Sequence, residues 1–339
     1  MSDTHDQTQP EQPPEKPHTP IAHPAVWRGD ELMQRADFKS SWTQRELKEF
    51  EATLRQGARK LREVNHRMQN LSIQLEEGCG AVWIKGLLQQ DYSEDEQARH
   101  FLSLCSMAGN PLSQNAEGDL MMSVRDAGYG TDDARTRGPN TRNKLSYHTD
   151  RCDVIAFMCL QPAQSGGENQ LVSSMALYNH ILATRPDLLD VLMHPFPYKR
   201  HNVDAGNAYT HIEQPIFAFC EGHFACSFLR VLIDRADADP ALPNLSNVQR
   251  EALDYLETCA ERPELQITFR LEAGDMLFLN NWVSLHRRTA FTDYLDETKK
   301  RHLLRVWLSM PNSRPLDPAF AANFGSVAAG AIRGGMPKS

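Results

Sequence analysis

The chain has 339 residues, 40% hydrophobic and 24% charged, which allows one sizeable core and excludes a disordered or collagen-like protein. Lys and Arg number 36 against 44 Asp and Glu, and a formal net charge of -8 has the wrong sign for a protein that tracks phosphate backbones. Seven cysteines with no CxxC pair suggest neither a disulfide framework nor a zinc knuckle, and the longest apolar run, Val154 to Leu160, is far short of the ~20 residues of a membrane span.

Residues 1–24 contain six prolines and almost no large apolar side chains, so they cannot offset their ordering entropy and are expected to be disordered. They carry acids and glutamines where a signal peptide needs a basic and then an apolar segment, so a soluble, cytoplasmic protein with reduced thiols is expected, with no membrane or nucleic-acid partner. Residues 25–339 are expected to form one domain, with a helical lead-in over 25–78 and a β-rich core over about 79–325. Thr43 followed by Glu46 is a capping box, and Leu47, Phe50, Leu54, Ala58 and Leu61 share one face of a helix predicted over 43–62. Ala81 to Leu87 reads as a strand. Ser93 and Glu96 cap a second helix that Gly109 ends.

Residues 128–143 form a polar loop punctuated by Gly and Pro, and long loops of this kind are often functional. Short apolar strands follow at 153–160, 170–173, 215–220, 224–229, 265–271, 276–280 and 302–310, with a Glu221-Gly222 turn joining the third and fourth. Helices are predicted near 174–184 and from a Ser246 cap to about Ala260. Many short strands with glycine turns and a few flanking helices argue a mainly β sandwich or barrel of the α+β class.

At 148–150 the sequence is His-Thr-Asp, and strand alternation would send His148 and Asp150 to one side. His286, 138 residues further on, closes an apolar strand that could return to the same place. Two imidazoles and a carboxylate on one face of a metal leave the opposite positions open, the arrangement of non-haem Fe(II) sites that bind a cosubstrate and oxygen. In KRHLLRVWLSM, Arg301 and Arg305 share parity with Leu303 and Trp307, so two guanidinium groups enter one interior, suited to bidentate capture of carboxylates. A second pair, His211-Ile212-Glu213, also precedes His286. Cys152 has no visible base beside it and reads as a packing residue.

YHTD, GGENQLVSS, GDMLFLNNWVSLHRRTAF and RHLLRVWL, in that order, resemble the TauD/TfdA (taurine dioxygenase-like) family of Fe(II)/2-oxoglutarate-dependent oxygenases from about residue 79 to 325. The resemblance implies a distorted double-stranded β-helix, or jelly roll, of the clavaminate synthase-like kind. It implies His148, Asp150 and His286 as iron ligands and Arg301, fifteen residues after the distal histidine, as partner of the far carboxylate of 2-oxoglutarate. Asn169 stands where relatives place a threonine on that carboxylate, and its amide can donate the same bond. Arg305 falls where relatives hold an anionic group of the substrate, and the long spacing leaves open an exchange of roles with Arg301. Tyr147 and Trp307 are candidate pocket walls, and Arg288 a brace of the His286 strand.

The implied reaction consumes O2 and 2-oxoglutarate, releases succinate and CO2, and hydroxylates a C–H bond of a small, anionic substrate such as an amino acid, carboxylate, sulfonate or phosphonate. Desaturation and ring formation are not separated from hydroxylation by the sequence. Family members often form dimers or tetramers, so a homo-oligomer is within what the resemblance implies. Two other classes use the same residues: a zinc hydrolase on the His, Asp and His, and a non-catalytic jelly-roll binding module.

Overall fold

The computed structural model describes residues 18–56, 61–87, 92–129, 138–200 and 209–336. Two sheets face each other. The larger runs Lys39–Ser41, Ala81–Lys85, Met276–Asn280, Val154–Gln161, His302–Ser309 and Asn110–Leu112, with Met121–Val124 also paired to His302–Ser309. The smaller is Gln266–Phe269, Asn169–Ser173 and Ser284–Arg288.

The central strands of the larger sheet are buried on both faces, and this explains why they read as nearly continuous apolar runs. In Val154–Gln161, Val154, Ala156 and Met158 pack outward on Met68 of helix Arg62–Glu77 and on Phe101 and Leu104 of helix Glu94–Ala108. Ile155 and Cys159 point inward, where they meet Leu171, Ile267 and Phe269 of the smaller sheet and Leu303 and Trp307 of the neighbouring strand. Behind the smaller sheet, Val172 and Leu285 pack on helices Ser174–Thr184, Pro186–Leu192 and Asn247–Ala260. Burial of each such side chain contributes about 1.5–3 kcal/mol. The result is the jelly roll expected from the motifs.

The lead-in differs from the sequence reading. Thr43 Oγ1 accepts from Glu46 N at 3.2 Å and Thr43 N donates to Glu46 Oε2 at 2.7 Å, as the capping box requires. The helix it starts spans Gln44–Gln56, however, and a separate helix, Arg62–Glu77, follows. Val64, Met68, Leu71 and Leu75 give the second helix its buried stripe, and the predicted 43–62 element had absorbed its start. Residues 57–60 lie outside the described residues. Helices Pro186–Leu192 and Arg230–Asp237 were not predicted, being too short to show a periodicity.

The predicted disordered tail also needs correction. Residues 1–17 lie outside the described residues, but 18–24 dock on the helix behind the smaller sheet. Ile21 N donates to Asn179 Oδ1 at 2.7 Å, Asn179 Nδ2 donates to Ile21 O at 2.8 Å, and His18 Nε2 meets Asp190 Oδ1 at 2.7 Å. The Glu221-Gly222 turn is as read, with both residues at positive φ, 50° and 84°. Among the described residues no helix is long and apolar enough to cross a membrane.

Candidate active site

His148 sits on no regular strand, contrary to the alternation argument. It forms an isolated antiparallel bridge with His286, each backbone N–H donating to the other's carbonyl at 3.1 Å. This pairing sets the two imidazole centroids 4.4 Å apart. Past Thr149 the chain turns, and Asn281 Oδ1 accepts from the Asp150 backbone N–H at 3.0 Å. The turn still aims Asp150 at the same point, its Oδ2 lying 3.5 Å from His286 Nε2. One donor atom from each of His148, Asp150 and His286 falls within 4.8 Å of the others, the one such group among the described residues. The rival pair is excluded by exposure: His211 and Glu213 both face solvent on strand His211–Gln214.

The donor set fits a divalent ion. Asp150 Oδ2, which faces His286 Nε2, is buried without a hydrogen-bond partner, a costly arrangement for a site with nothing to ligate. His148 Nδ1 is 2.9 Å from Ser146 O, which fixes the ring and leaves Nε2 for a metal. Burial, followed by the His286 charge, pushes the His148 imidazole down to about 4, so it is neutral at physiological pH. For Asp150 burial acts upward, but the Arg305 guanidinium and the adjoining His286 and His148 side chains outweigh it and hold the carboxyl well below its usual range.

Two arginines enter this interior, as their parity predicts. Arg305 Nη1 lies 3.8 Å from Asp150 Oδ1, and its guanidinium stacks on the Trp307 ring at 4.9 Å. Arg301 lies deeper, 3% exposed, over the Phe291 ring at 5.1 Å, with Nη1 unpartnered. Burial lowers it to about 10, and it remains cationic at neutral pH. Arg301, Asn169, Gly167 and Cys159 line one narrow cavity. Gly167 is required there: its φ is +73°, and a Cβ would stand 3.2 Å from Arg301 Nε. Arg288 donates to the carbonyls of Asn143 and Thr289, so it braces its strand.

Tyr147 does not wall this pocket. Where His148 turns inward, Tyr147 turns the other way: its hydroxyl donates to Gln266 Oε1 at 2.6 Å and its ring lies 4.0 Å from the Arg287 guanidinium. Trp307 does face the interior, and its buried Nε1 has no partner. Residues 130–137 of the polar loop lie outside the described residues.

Two residues at the site carry no sequence signal that the motif argument used. Gln114 grips Arg305 at both ends, its Oε1 accepting from Arg305 Nε at 2.7 Å and its Nε2 donating to Arg305 O at 2.9 Å. Asn281, in the Asn-Asn-Trp run before His286, holds the Asp150 turn. A lone glutamine in a loop has no pattern to betray it, whereas the asparagine lies inside one of the quoted motifs.

The profile described as "Taurine catabolism dioxygenase TauD, TfdA family" matches residues 43–307. The chain belongs to this family. Membership decides against the hydrolase and binding-module readings: this TauD/TfdA protein is an Fe(II)/2-oxoglutarate-dependent dioxygenase, with Fe(II) as cofactor and 2-oxoglutarate and O2 as cosubstrates. It is similar to FR-33289 synthase of Streptomyces rubellomurinus, 32% identical over 245 residues that cover 71% of this chain and 72% of that protein. Its fold is shared with the non-heme iron oxygenase OrfP, solved with Fe and alpha-ketoglutaric acid, at TM-score 0.61 and 14% identity over 87% of this chain and 99% of OrfP. An asparagine oxygenase solved with Fe(II), 2S,3S-3-hydroxyasparagine and succinate aligns at TM-score 0.60 and 15% identity over 80% of this chain and 93% of that one.

Proposed function

We propose that His148, Asp150 and His286 hold the Fe(II), that Arg301 and Asn169 bind the far carboxylate of 2-oxoglutarate, and that the enzyme hydroxylates an unactivated C–H bond of a small anionic molecule gripped by Arg305. The observation that carries the substrate class is the state of Arg305. Gln114 locks its Nε at 2.7 Å, Trp307 supports its face, and Nη1 points to the Asp150 carboxylate at 3.8 Å, so a fixed cation stands beside the metal position. A planar, permanently charged fork in that place suits a carboxylate, sulfonate or phosphonate. An amino acid is the favoured form, in keeping with the hydroxyasparagine and hydroxyarginine carried by the structurally similar oxygenases.

Bound iron supplies the oxygen-activating redox chemistry; the protein's part is positioning and exclusion of water. The His148 imidazole is held by Ser146 O with Nε2 free, and it is neutral, so no proton has to leave it before it can ligate. Arg301 would neutralise the far carboxylate in the narrow cavity that Asn169, Leu271 and Leu303 also line. Ile155, Leu171 and Trp307 belong to the apolar cluster that fills this interior and would help to exclude water.

The test is succinate formation in the presence of Fe(II), 2-oxoglutarate and a panel of L-amino acids, short carboxylates, sulfonates and phosphonates. Turnover is expected to rise with an anionic member of the panel, and Arg305→Ala is expected to raise the KM for that compound at least tenfold while 2-oxoglutarate affinity is retained. Substrate dependence untouched by Arg305→Ala sinks the assignment.

A further inference from the structure

The Asp150 carboxylate has no side-chain hydrogen-bond donor of its own on Oδ2, so its direction has to be imposed through its backbone. Every residue of the turn from Asp150 to Asp153 is tied down from behind. Asn281, 1% exposed, makes three of the ties: Oδ1 accepts from Asp150 N at 3.0 Å, Nδ2 donates to Cys152 O at 3.2 Å, and its backbone N donates to Asp153 O at 2.9 Å.

Apart from a bond from Trp282, the remaining ties come from residues beyond those that the family profile matches. Asp153 and Arg333 form an ion pair at 2.6 Å with side chains 2% and 0% exposed. Asp153 Oδ1 also accepts from Trp282 Nε1 at 2.9 Å and its Oδ2 from Met310 N at 2.8 Å, so the buried charge is fully satisfied. Two residues on, Gly335 N donates to Arg151 O at 2.7 Å. Gly334 between them has φ +78°, and a Cβ there would stand 2.4 Å from Arg151 O, so the strap lies against the turn backbone itself.

We propose that Asn281 and the Asp153–Arg333 pair are positioning residues of the metal centre: they preset the turn so that the Asp150 carboxylate already points at the place where the two imidazoles converge. The C-terminal strap is thereby part of the metal site without contributing a ligand. The network is fully satisfied, and such networks specify one arrangement rather than several. The inference rests on the reading of His148, Asp150 and His286 as metal ligands.

The probe is Co(II) alone, added to the purified protein and followed by its visible ligand-field bands, with folding checked by circular dichroism and thermal melting. Asn281→Leu and Arg333→Met are expected to weaken Co(II) binding by about 10- to 100-fold, the usual effect of losing a residue that orients a ligand, and to change the band pattern. Asn281→Ser and Arg333→Lys, which disturb packing less, serve if either of the first pair does not fold. Arg67→Met is the stability control: Arg67 pairs with Glu46 at 2.7 Å in the helical lead-in, and its loss should lower the melting temperature and leave Co(II) affinity unchanged. Folded Asn281 and Arg333 variants that bind Co(II) within about threefold of wild type, with the same bands, overturn the positioning role. A wild-type protein that takes up no Co(II) overturns the metal reading itself, and this inference with it.

Discussion

Replacing Arg301 with methionine removes the cation assigned to the far carboxylate of 2-oxoglutarate while keeping much of the side-chain volume. Two routes give the size of the effect. Burial lowers the guanidinium from 12.5 to about 10, which corresponds to about 3 kcal/mol of desolvation that an arriving carboxylate can repay. Independently, breaking a buried pair by removing one partner costs about 3–5 kcal/mol, because the other charge is left without compensation. The first predicts 2-oxoglutarate binding weaker by about 150-fold, the second by about 150- to 5,000-fold. Calorimetric titration of the Zn(II)-loaded protein measures this without turnover. 2-Oxovalerate, which lacks the far carboxylate, should bind wild type and Arg301→Met alike. A loss of less than about threefold for 2-oxoglutarate, or an equal loss for both keto acids, refutes the assignment.

The remaining predictions concern the shell around that site. His148 is half-buried and neutral with its pKa pushed down to about 4, whereas the unfolded chain protonates it near 6.5. Stability of the metal-free protein should therefore fall as pH drops through that window, by about 2.5 kcal/mol from this group at pH 4.5. Urea unfolding at pH 7.5 and 4.5 should show a smaller loss in His148→Gln; equal losses contradict the account. Gly167→Ala should strain a left-handed backbone by about 1–2 kcal/mol and push Arg301 aside, lowering 2-oxoglutarate affinity together with melting temperature. If affinity is unchanged in that variant, Gly167 does not shape the pocket. Tyr147→Phe should cost about 1 kcal/mol of stability through the lost Gln266 bond and leave 2-oxoglutarate binding as it was. A binding defect there would return Tyr147 to the site.

What could be read in the sequence was whatever has a period or a fixed spacing. Arg301 and Arg305, four apart on an apolar strand, were legible because alternation converts spacing into a shared face, whereas His148 and Asp150 converge through a bridge and a turn rather than through a strand. Tyr147 precedes His148 in sequence but lies away from it in space, bonded to Gln266 and stacked on Arg287. The strand assigned to residues 148–150 was wrong in detail, since His148 bridges to His286 and the chain then turns on a bond from Asn281. That bond joins residues 131 apart, as the Asp153–Arg333 pair joins residues 180 apart, and no local pattern announces such partners. The helix Arg62–Glu77 was lost for the opposite reason: its neighbour's apolar face runs into its own, and the break falls where Leu61 belongs to both patterns.

The central claim is that one Fe(II), held by His148, Asp150 and His286, chelates 2-oxoglutarate in this interior. Anaerobic addition of 2-oxoglutarate to the Fe(II)-loaded protein tests it most directly, through the weak visible metal-to-ligand charge-transfer band of bidentate keto-acid chelation. The account predicts a band that saturates at one equivalent, is absent in His148→Ala and is weakened in Arg301→Met at equal ligand. Iron bound with no band, or a band that survives in His148→Ala, would contradict it.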